Sequence, residues 1–387
     1  MKQLVFLLGF AAFAGCCGNG GDLSPEARKV QQYMPAHAVV AHRGTVYWAP
    51  ELTEAAFRWA RNTGADYLEL DVRYSKDTVL VIMHDATFNR TTDAALKFAG
   101  REKDPVESFT FEEIMQLSAG TKFNEKNPDR ARESFAGQEV LTMEDVFRIA
   151  EGKRIKRDAE GKRIFHRSQT GEYFFEYEDD PADNGNRPGV YIETKAPETY
   201  PRLERRIYEL LTRIGWNIAE DNATSEKEPF HADGKVNVGN TRGKILLQTF
   251  SREGMTAFRQ VFKGKVLCSF LTGGKNDFST EASCDEIIAF AKSAGAQFIG
   301  SNLGNDGKDG MSPMFSQRLH DAGLKANVYS FDTDEQMEKY WNGGQPLTDG
   351  MITNRTDLTL DFYRAKGVRA TGKIGETPEE ILTMLGY

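Results

Sequence analysis

From its N-terminal third onward the chain alternates short β-branched runs with helical patterns that repeatedly end at glycine. Leu52, Ala55, Ala56, Trp59 and Ala60 recur at i, i+3, i+4, i+7 and i+8, with Gly64 at C-cap distance, and predict an amphipathic helix. Pro201 opens a second, with Leu203, Ile207, Leu210, Leu211 and Ile214 on one face ahead of Gly215. Ser283 and Glu286 have capping-box spacing before Ile287, Ile288, Ala291 and Ala294, and Gly295 closes that helix. Nine runs read as strands: Val39–Ala41, Tyr67–Val72, Val79–Met83, Val190–Thr194, Ile245–Phe250, Val266–Phe270, Gln297–Gly300, Asn327–Phe331 and Gly350–Thr353. A closed eightfold strand–helix barrel needs one fewer. The link from Arg73 to Thr78 is too short for a parallel crossover, which takes a dozen or more residues, so the third run returns as a hairpin along the second. A turn centred near Asp77 sets Asp71 opposite Met83 and Glu69 opposite Asp85, and brings His84 beside both carboxylates. The pattern therefore predicts an α/β fold, a TIM (β/α)8 barrel with an extra β-hairpin after strand 2.

Two stretches interrupt the array. Residues from about 94 to 150 hold helix-like pieces, including Phe111–Leu117 and Met143–Ile149, and are expected to sit on the barrel rim near the site. Residues 151–189 turn strongly charged, carry Gly-Lys-Arg-Ile twice, and alternate through Glu172-Tyr-Phe-Phe-Glu-Tyr, as a solvent-facing β-hairpin excursion would. Ahead of the barrel, Lys2 precedes an apolar run from Leu4 to Phe13 that is too short to span a bilayer, then Ala14, Gly15, Cys16 and Cys17. This resembles a bacterial lipoprotein processing site. The expected division is a signal peptide over 1–16, a tether over 17–35 and a catalytic barrel over 36–387. The protein would be exported, periplasmic or at the cell surface, and would touch the membrane through its lipid anchor only.

With 387 residues, 40% of them hydrophobic, the chain can bury a substantial core. Its 49 basic residues face 57 acidic ones for a net charge of −8, and no long basic run offers a nucleic-acid footprint. Cys268 and Cys284 read as small buried residues, and no CxxC or Cys/His zinc spacing occurs.

The chemistry gathers at strand ends, which in a parallel barrel open on one face. His42-Arg43-Gly44 ends the first strand, Glu69-Leu70-Asp71 the second, His84-Asp85 the hairpin and Glu193-Thr194-Lys195 the next. Glu69 and Asp71, two apart, point to one side of the sheet, and Glu193 joins them from the neighbouring strand. Three uncompensated acids would repel one another and raise their pKa values; a hard divalent cation, Ca²⁺ or Mg²⁺, removes the problem. Arg43 suits a phosphate as a fork and Lys195 as a point charge. His42 and His84 are candidates for general base and general acid on either side of a scissile bond.

At these residues the sequence resembles the glycerophosphodiester phosphodiesterase family. The likeness runs through Ala41-His-Arg-Gly, Pro50-Glu51, Gly64-Ala65-Asp66-Tyr-Leu-Glu69-Leu-Asp71-Val72, His84-Asp85 and Asn89-Arg-Thr-Thr92. It continues through Leu141-Thr-Met-Glu-Asp-Val146, Ile192-Glu193-Thr-Lys195, Gln248-Thr-Phe-Ser251, Gly323-Leu-Lys-Ala-Asn-Val-Tyr329 and Asp349-Gly-Met-Ile-Thr353. The resemblance implies hydrolysis of glycerophosphodiesters to glycerol 3-phosphate and an alcohol with a divalent metal. It assigns His42 and His84 to acid–base work, Glu69, Asp71 and Glu193 to the metal, and Arg43 and Lys195 to phosphate. The nucleophile is either water or the substrate's own glycerol hydroxyl. Three places depart from the family's pattern: Leu52 stands where Asn is usual, Tyr329-Ser-Phe-Asp332 replaces a Trp-Thr-Val-Asn-like segment, and Thr353-Asn354 replaces Thr-Asp. Tyr329 falls at the expected wall of the glycerol pocket and is a candidate substrate contact. Two alternatives remain beside the small glycerophosphodiester: a bulkier lipid headgroup or polymer diester, admitted by the long insertions, and a non-catalytic lipoprotein that binds a glycerol phosphate ligand.

Overall fold

The computed structural model describes residues 23–220, 228–273, 278–304, 310–370 and 376–387. The expected signal peptide and the Cys16–Cys17 pair lie outside them. In chain order come helix α1 (Pro25–Gln31), strand β1 (Ala38–Ala41), helix α2 (Glu54–Thr63) and strands β2 (Tyr67–Tyr74) and β3 (Leu80–Ile82). Helices α3 (Ala94–Lys97), α4 (Phe111–Ile114), α5 (Thr121–Lys126) and α6 (Met143–Ala150) follow, then short strands β4 (Lys153–Ile155), β5 (Phe165–Arg167), β6 (Tyr173–Phe175) and β7 (Tyr177–Asp179). From there strand and helix alternate: β8 (Gly189–Thr194), α7 (Leu203–Arg213), β9 (Ile245–Thr249), α8 (Arg252–Phe262), β10 (Leu267–Thr272) and α9 (Glu281–Ala294). The array closes with β11 (Phe298–Asn302), α10 (Pro313–Asp321), β12 (Lys325–Phe331), α11 (Asp334–Trp341), β13 (Gly350–Thr353), α12 (Thr356–Ala365) and α13 (Pro378–Met384).

Eight strands pair in parallel in the order β1, β2, β8, β9, β10, β11, β12, β13, and β13 returns to β1. This is a closed (β/α)8 barrel. Strand β3 hangs antiparallel on β2 with Val72 opposite Ile82, and the Met83 N–H donates to the Asp71 carbonyl at 2.9 Å, which is the register centred on Asp77. The pairing with β2 does not extend to Glu69: the chain turns after Met83, and the Asp85 carboxylate faces Arg90 instead. Residues that alternate along the strands divide the core. Ala38, Val40, Tyr67, Tyr191, Leu246, Leu267, Phe298 and Ile352 fill the barrel interior, while Val39, Ala41, Leu68, Leu70, Ile192 and Leu247 pack outward under the helices. Helix α2 shows how the local sequence fits: Thr53 caps its start by accepting from the Ala56 N–H, and Gly64 ends it at φ 103°, a conformation that favours glycine.

Several expectations need correction. The helix around Met143 is no rim insertion. Its apolar face of Met143, Val146, Phe147, Ile149 and Ala150 packs against α2, β2, β3 and β8, so α6 is the barrel's own second crossover helix. The segment expected as a tether is folded from Leu23 onward: Leu23, Val30 and Met34 are buried, and Gln31 Nε2 donates to the carbonyls of Gln297 and Gly323 at 2.9 and 3.0 Å. Those carbonyls precede β11 and β12, so α1 covers the N-terminal end of the barrel. Helix α7 begins two residues after Pro201, and α9 is capped by Thr280 rather than Ser283. Cys268 and Cys284 are both buried, as expected, and no disulfide joins them.

The charged excursion forms two short antiparallel ladders, β4 with β7 and β5 with β6, but it does not simply face solvent. Phe165, Tyr173 and Phe175 surround Phe111, and the Arg163 guanidinium is buried against Asp145, which also accepts from Tyr177 and caps α6. The charges that marked the segment as solvated are thus its anchors. Removing one member of a buried ion pair strands the other, at a cost of about 3 kcal/mol. R163A is therefore expected to lower unfolding stability by about that amount in urea titration; a loss under about 1 kcal/mol would show that the excursion does not brace the barrel.

Candidate active site

The backbone places the acidic groups. Parallel pairing sets Asp71 directly beside Glu193 across β2 and β8, and Glu193 beside Gln248 across β8 and β9. Below this layer the inward positions are Tyr67, Tyr191 and Leu246; above it they are carboxylates and an amide. Glu69, Asp71 and Glu193 each offer an oxygen within 4.8 Å of the others, and all three side chains are buried. Arg43 follows the end of β1 at φ 54°, in the left-handed region, which turns its backbone N–H onto Glu69 Oε2 at 2.9 Å. Gly44 continues the turn at φ 79° and passes 2.8 Å from the Ala56 backbone where a Cβ would sit, so no larger residue fits there.

Two cations enter the cluster. Lys195 Nζ lies 2.5 Å from Glu193 Oε1 and 3.2 Å from Asp71 Oδ1. Arg43 Nε lies 3.4 Å from Asp71 Oδ2, and its Nη1 donates to Glu51 at 3.0 Å. Burial, then Asp71 and Glu193, push Glu69 well above the usual carboxylate range. Burial raises Glu193 to about 7 against the pull of Lys195. Burial also acts to raise Asp71, but Lys195 and Arg43 outweigh it and hold this carboxyl below its ordinary value. One site thus carries both protonatable and firmly ionised carboxyl groups.

Both histidines lie close enough to the cluster to act on the charge of Asp71. His42 Nδ1 is 2.7 Å from Asn354 Oδ1; an amide oxygen only accepts, so Nδ1 carries the hydrogen and Nε2 keeps its lone pair. Burial and then Arg43 lower this imidazole to about 3. His84 Nδ1 is 2.7 Å from Asp85 Oδ1. Arg90 clamps Asp85 at 2.6 Å and Glu51 at 2.7 Å, so one chain of charges runs from His84 through Asp85, Arg90 and Glu51 to Arg43. Tyr329 stands at the edge of the site. Its hydroxyl donates to the Thr272 carbonyl at 2.7 Å, its ring meets Phe250 edge-on at 6.3 Å, and Phe250 in turn lies 5.8 Å from Lys195 Nζ.

The residue-by-residue expectation did not name Glu51, Arg90, Gln248, Phe250 or Asn354 as site residues. Each lay in or next to a quoted motif, and their partners were what the sequence hid. Gln248 Nε2 donates to Glu69 Oε1 at 3.0 Å and orients it; Glu51 and Arg90 fix the two flanks. Asp332 and Asn354, two of the departures from the family's pattern, touch each other: Asn354 Nδ2 donates to Asp332 Oδ1 at 2.8 Å.

The model of the glycerophosphoryl diester phosphodiesterase family matches residues 42–206. That span begins at His42 and contains Arg43, Glu69, Asp71, His84, Glu193 and Lys195, the groups that the barrel draws together. Over that span the chain is similar to the glycerophosphodiester phosphodiesterase family. A glycerophosphodiester phosphodiesterase of Bacillus subtilis is 26% identical over 327 residues, 84% of this chain and 85% of its own length. One from Caldanaerobacter subterraneus reaches 45% identity over 111 residues, 29% of this chain and 39% of that protein. Among solved structures, the barrel is similar to a glycerophosphodiester phosphodiesterase of Agrobacterium tumefaciens (TM-score 0.51, 21% identity, 84% of this chain and 98% of that one). It is also similar to an Oleispira antarctica phosphodiesterase solved with the product sn-glycerol-3-phosphate (TM-score 0.55, 15% identity, 85% of this chain and 97% of that one). These structural likenesses bear on the fold.

The donor set of this site fits a divalent cation. Its three ligand candidates are all oxygen, and Asp71 Oδ2 is buried without a hydrogen-bond partner among the described residues. With all three carboxylates ionised against Lys195 and Arg43 the cluster carries one negative charge, an unfavourable place for a phosphodiester anion; a divalent ion reverses that sign. Because burial holds Glu193 near 7 and pushes Glu69 well above the usual carboxylate range, protons compete with the ion. Calorimetric titration with Mg²⁺ or Ca²⁺ at pH 6, in buffers of different ionisation enthalpy, is expected to show at least one proton released per ion. The apparent affinity should rise from pH 6 to pH 8; a pH-independent affinity with no proton release would contradict this electrostatic picture.

Proposed function

We propose that the enzyme hydrolyses glycerophosphodiesters to glycerol 3-phosphate and an alcohol, with a divalent cation, Ca²⁺ or Mg²⁺, held by Glu69, Asp71 and Glu193. The observation that carries this is the convergence of those carboxylates within 4.8 Å, with Arg43 and Lys195 among them and the imidazoles of His42 and His84 near Asp71. The product bound to the Oleispira antarctica phosphodiesterase supports glycerol 3-phosphate as the retained half of the substrate. When bound, the cation supplies Lewis-acid polarisation of a nonbridging phosphate oxygen. Arg43 and Lys195 supply the positive charge that seats the phosphate, one as a planar fork and the other as a point charge. His42 Nε2, with its lone pair free, accepts the proton of the attacking oxygen, that of water or of the substrate's own glycerol hydroxyl, as the new P–O bond forms; in the second case water then opens the cyclic diester to glycerol 3-phosphate. Burial and then Arg43 depress His42, and the phosphodiester anion offsets the second of these and raises this base. His84, braced by Asp85, delivers a proton to the leaving oxygen as its bond to phosphorus breaks. Tyr329 and Phe250 give the pocket an aromatic wall for the carbon skeleton.

We infer further that the chain is exported and carries a lipid on Cys16. The run from Leu4 to Phe13 ahead of Ala-Gly-Cys supports this. Cys16 lies seven Cα–Cα steps before Leu23, a reach of at most about 25 Å. With α1 on the N-terminal end of the barrel and the acidic cluster at the other, such an anchor turns the site away from the bilayer. The substrate class this favours is the soluble, deacylated diester over an intact lipid headgroup.

Two measurements test these proposals. Turnover of glycerophosphocholine should vanish with chelator, return with Ca²⁺ or Mg²⁺, and fall by about 10²- to 10⁴-fold in H42A and in H84A. Turnover that ignores chelation, or either variant at full activity, would overturn the mechanism. C16S should move the activity from the membrane to the soluble fraction, and the anchored enzyme should leave phosphatidylcholine vesicles intact while consuming glycerophosphocholine. Comparable rates on both substrates would contradict the orientation.

A further inference from the structure

The Nδ1 hydrogen on His42 is determined by the groups behind it. Asn354 presents its amide to His42 Nδ1 at 2.7 Å, to Asp332 Oδ1 at 2.8 Å and, at the long distance of 3.5 Å, to Ser330 Oγ, a hydroxyl that accepts or donates and so does not orient it. A carboxylate only accepts, so the NH₂ end must face Asp332; the reversed amide would set oxygen against oxygen. The carbonyl end is then committed to His42. The backbone holds Asn354 in place from two sides: its N–H donates to the Phe331 carbonyl at 2.9 Å, and its carbonyl accepts from Thr45 Oγ1 at 3.0 Å. Asp332 is placed by its own N–H, which donates to Gln336 Oε1 at 2.6 Å at the start of α11. The charged groups facing His42 are Arg43, Asp71 and Glu51, and among the described residues none of them hydrogen-bonds to either ring nitrogen.

We propose that Asp332 and Asn354 form a positioning relay that holds His42 as the Nδ1-protonated tautomer with Nε2 bare, an inference that rests on the phosphodiesterase reading for its catalytic consequence. Neither residue touches the acidic cluster. Asp332 sets the orientation of the Asn354 amide, and Asn354 sets the tautomer of the base. The relay contains one amide and one carboxylate, and a carboxylate in the second position would also demand Nδ1–H from His42. Exchanging the two groups therefore keeps the tautomer, whereas making both amides frees the inner one to flip.

Histidine ¹⁵N NMR of the full enzyme reads the tautomer directly, with H42A assigning the signal. The parent is expected to show a protonated Nδ1 and a pyridine-type Nε2 on His42. D332N should mix the tautomers and lower kcat by about tenfold or more with KM within about twofold. The exchanged pair, D332N with N354D, should restore the single tautomer and recover most of kcat. These substitutions are isosteric and lie at the barrel mouth, so circular dichroism should match the parent. A parent spectrum with Nε2 protonated, or D332N that leaves both tautomer and kcat unchanged, would overturn the relay. If the parent fails to turn over glycerophosphocholine with added cation, the proposed activity falls, while the tautomer measurement still decides the relay.

Discussion

Mutual repulsion of three carboxylates in one barrel mouth is the constraint on which the rest of this site depends. At 4.8 Å and an effective dielectric constant of about 20, each pair of unit charges repels by roughly 3 kcal/mol. Three such pairs approach the whole folding stability of an ordinary domain. The chain answers with Lys195 and Arg43 placed between the acids, with Gln248 on Glu69, and with carboxyl groups whose proton affinities are spread apart. The same charges that make the cluster costly make it a receptor for a small divalent cation and then for a phosphate.

The barrel supplies the geometry for this at little local expense. Glu69 and Asp71 share a face because they are two apart on β2, and Glu193 reaches them because β8 is the parallel neighbour in register. The intervening chain, from α3 through β7, is threaded out over the side of the barrel and returned, so residues more than a hundred positions apart become adjacent strands. The left-handed turn at Arg43 is the one backbone conformation in the cluster that an ordinary side chain adopts reluctantly, and it is used to aim an N–H at Glu69.

Much of the fold was legible because it rests on local pattern. Alternating and β-branched runs marked every barrel strand, and the short Arg73–Thr78 link alone required β3 to be antiparallel. Charge misled where burial decides. Arg163 sits in a stretch that looks solvated, yet its guanidinium closes a buried contact with Asp145; α1 looks like the end of a linker, yet Val30 and Met34 finish the barrel floor. At the site, residue types at strand ends pointed to the chemistry, but its supports were not readable. Glu51 to Arg90, Gln248 to Glu69 and Asn354 to His42 span 39, 179 and 312 positions, distances over which periodicity carries no information.

The most direct test of the central claim is a crystal of the full enzyme soaked in Ca²⁺ and measured for anomalous scattering. The account predicts one strong peak bounded by carboxylate oxygens of Glu69, Asp71 and Glu193 at about 2.3–2.6 Å. Side chains of these residues directed to separate places, or a peak only elsewhere on the molecule, would contradict it.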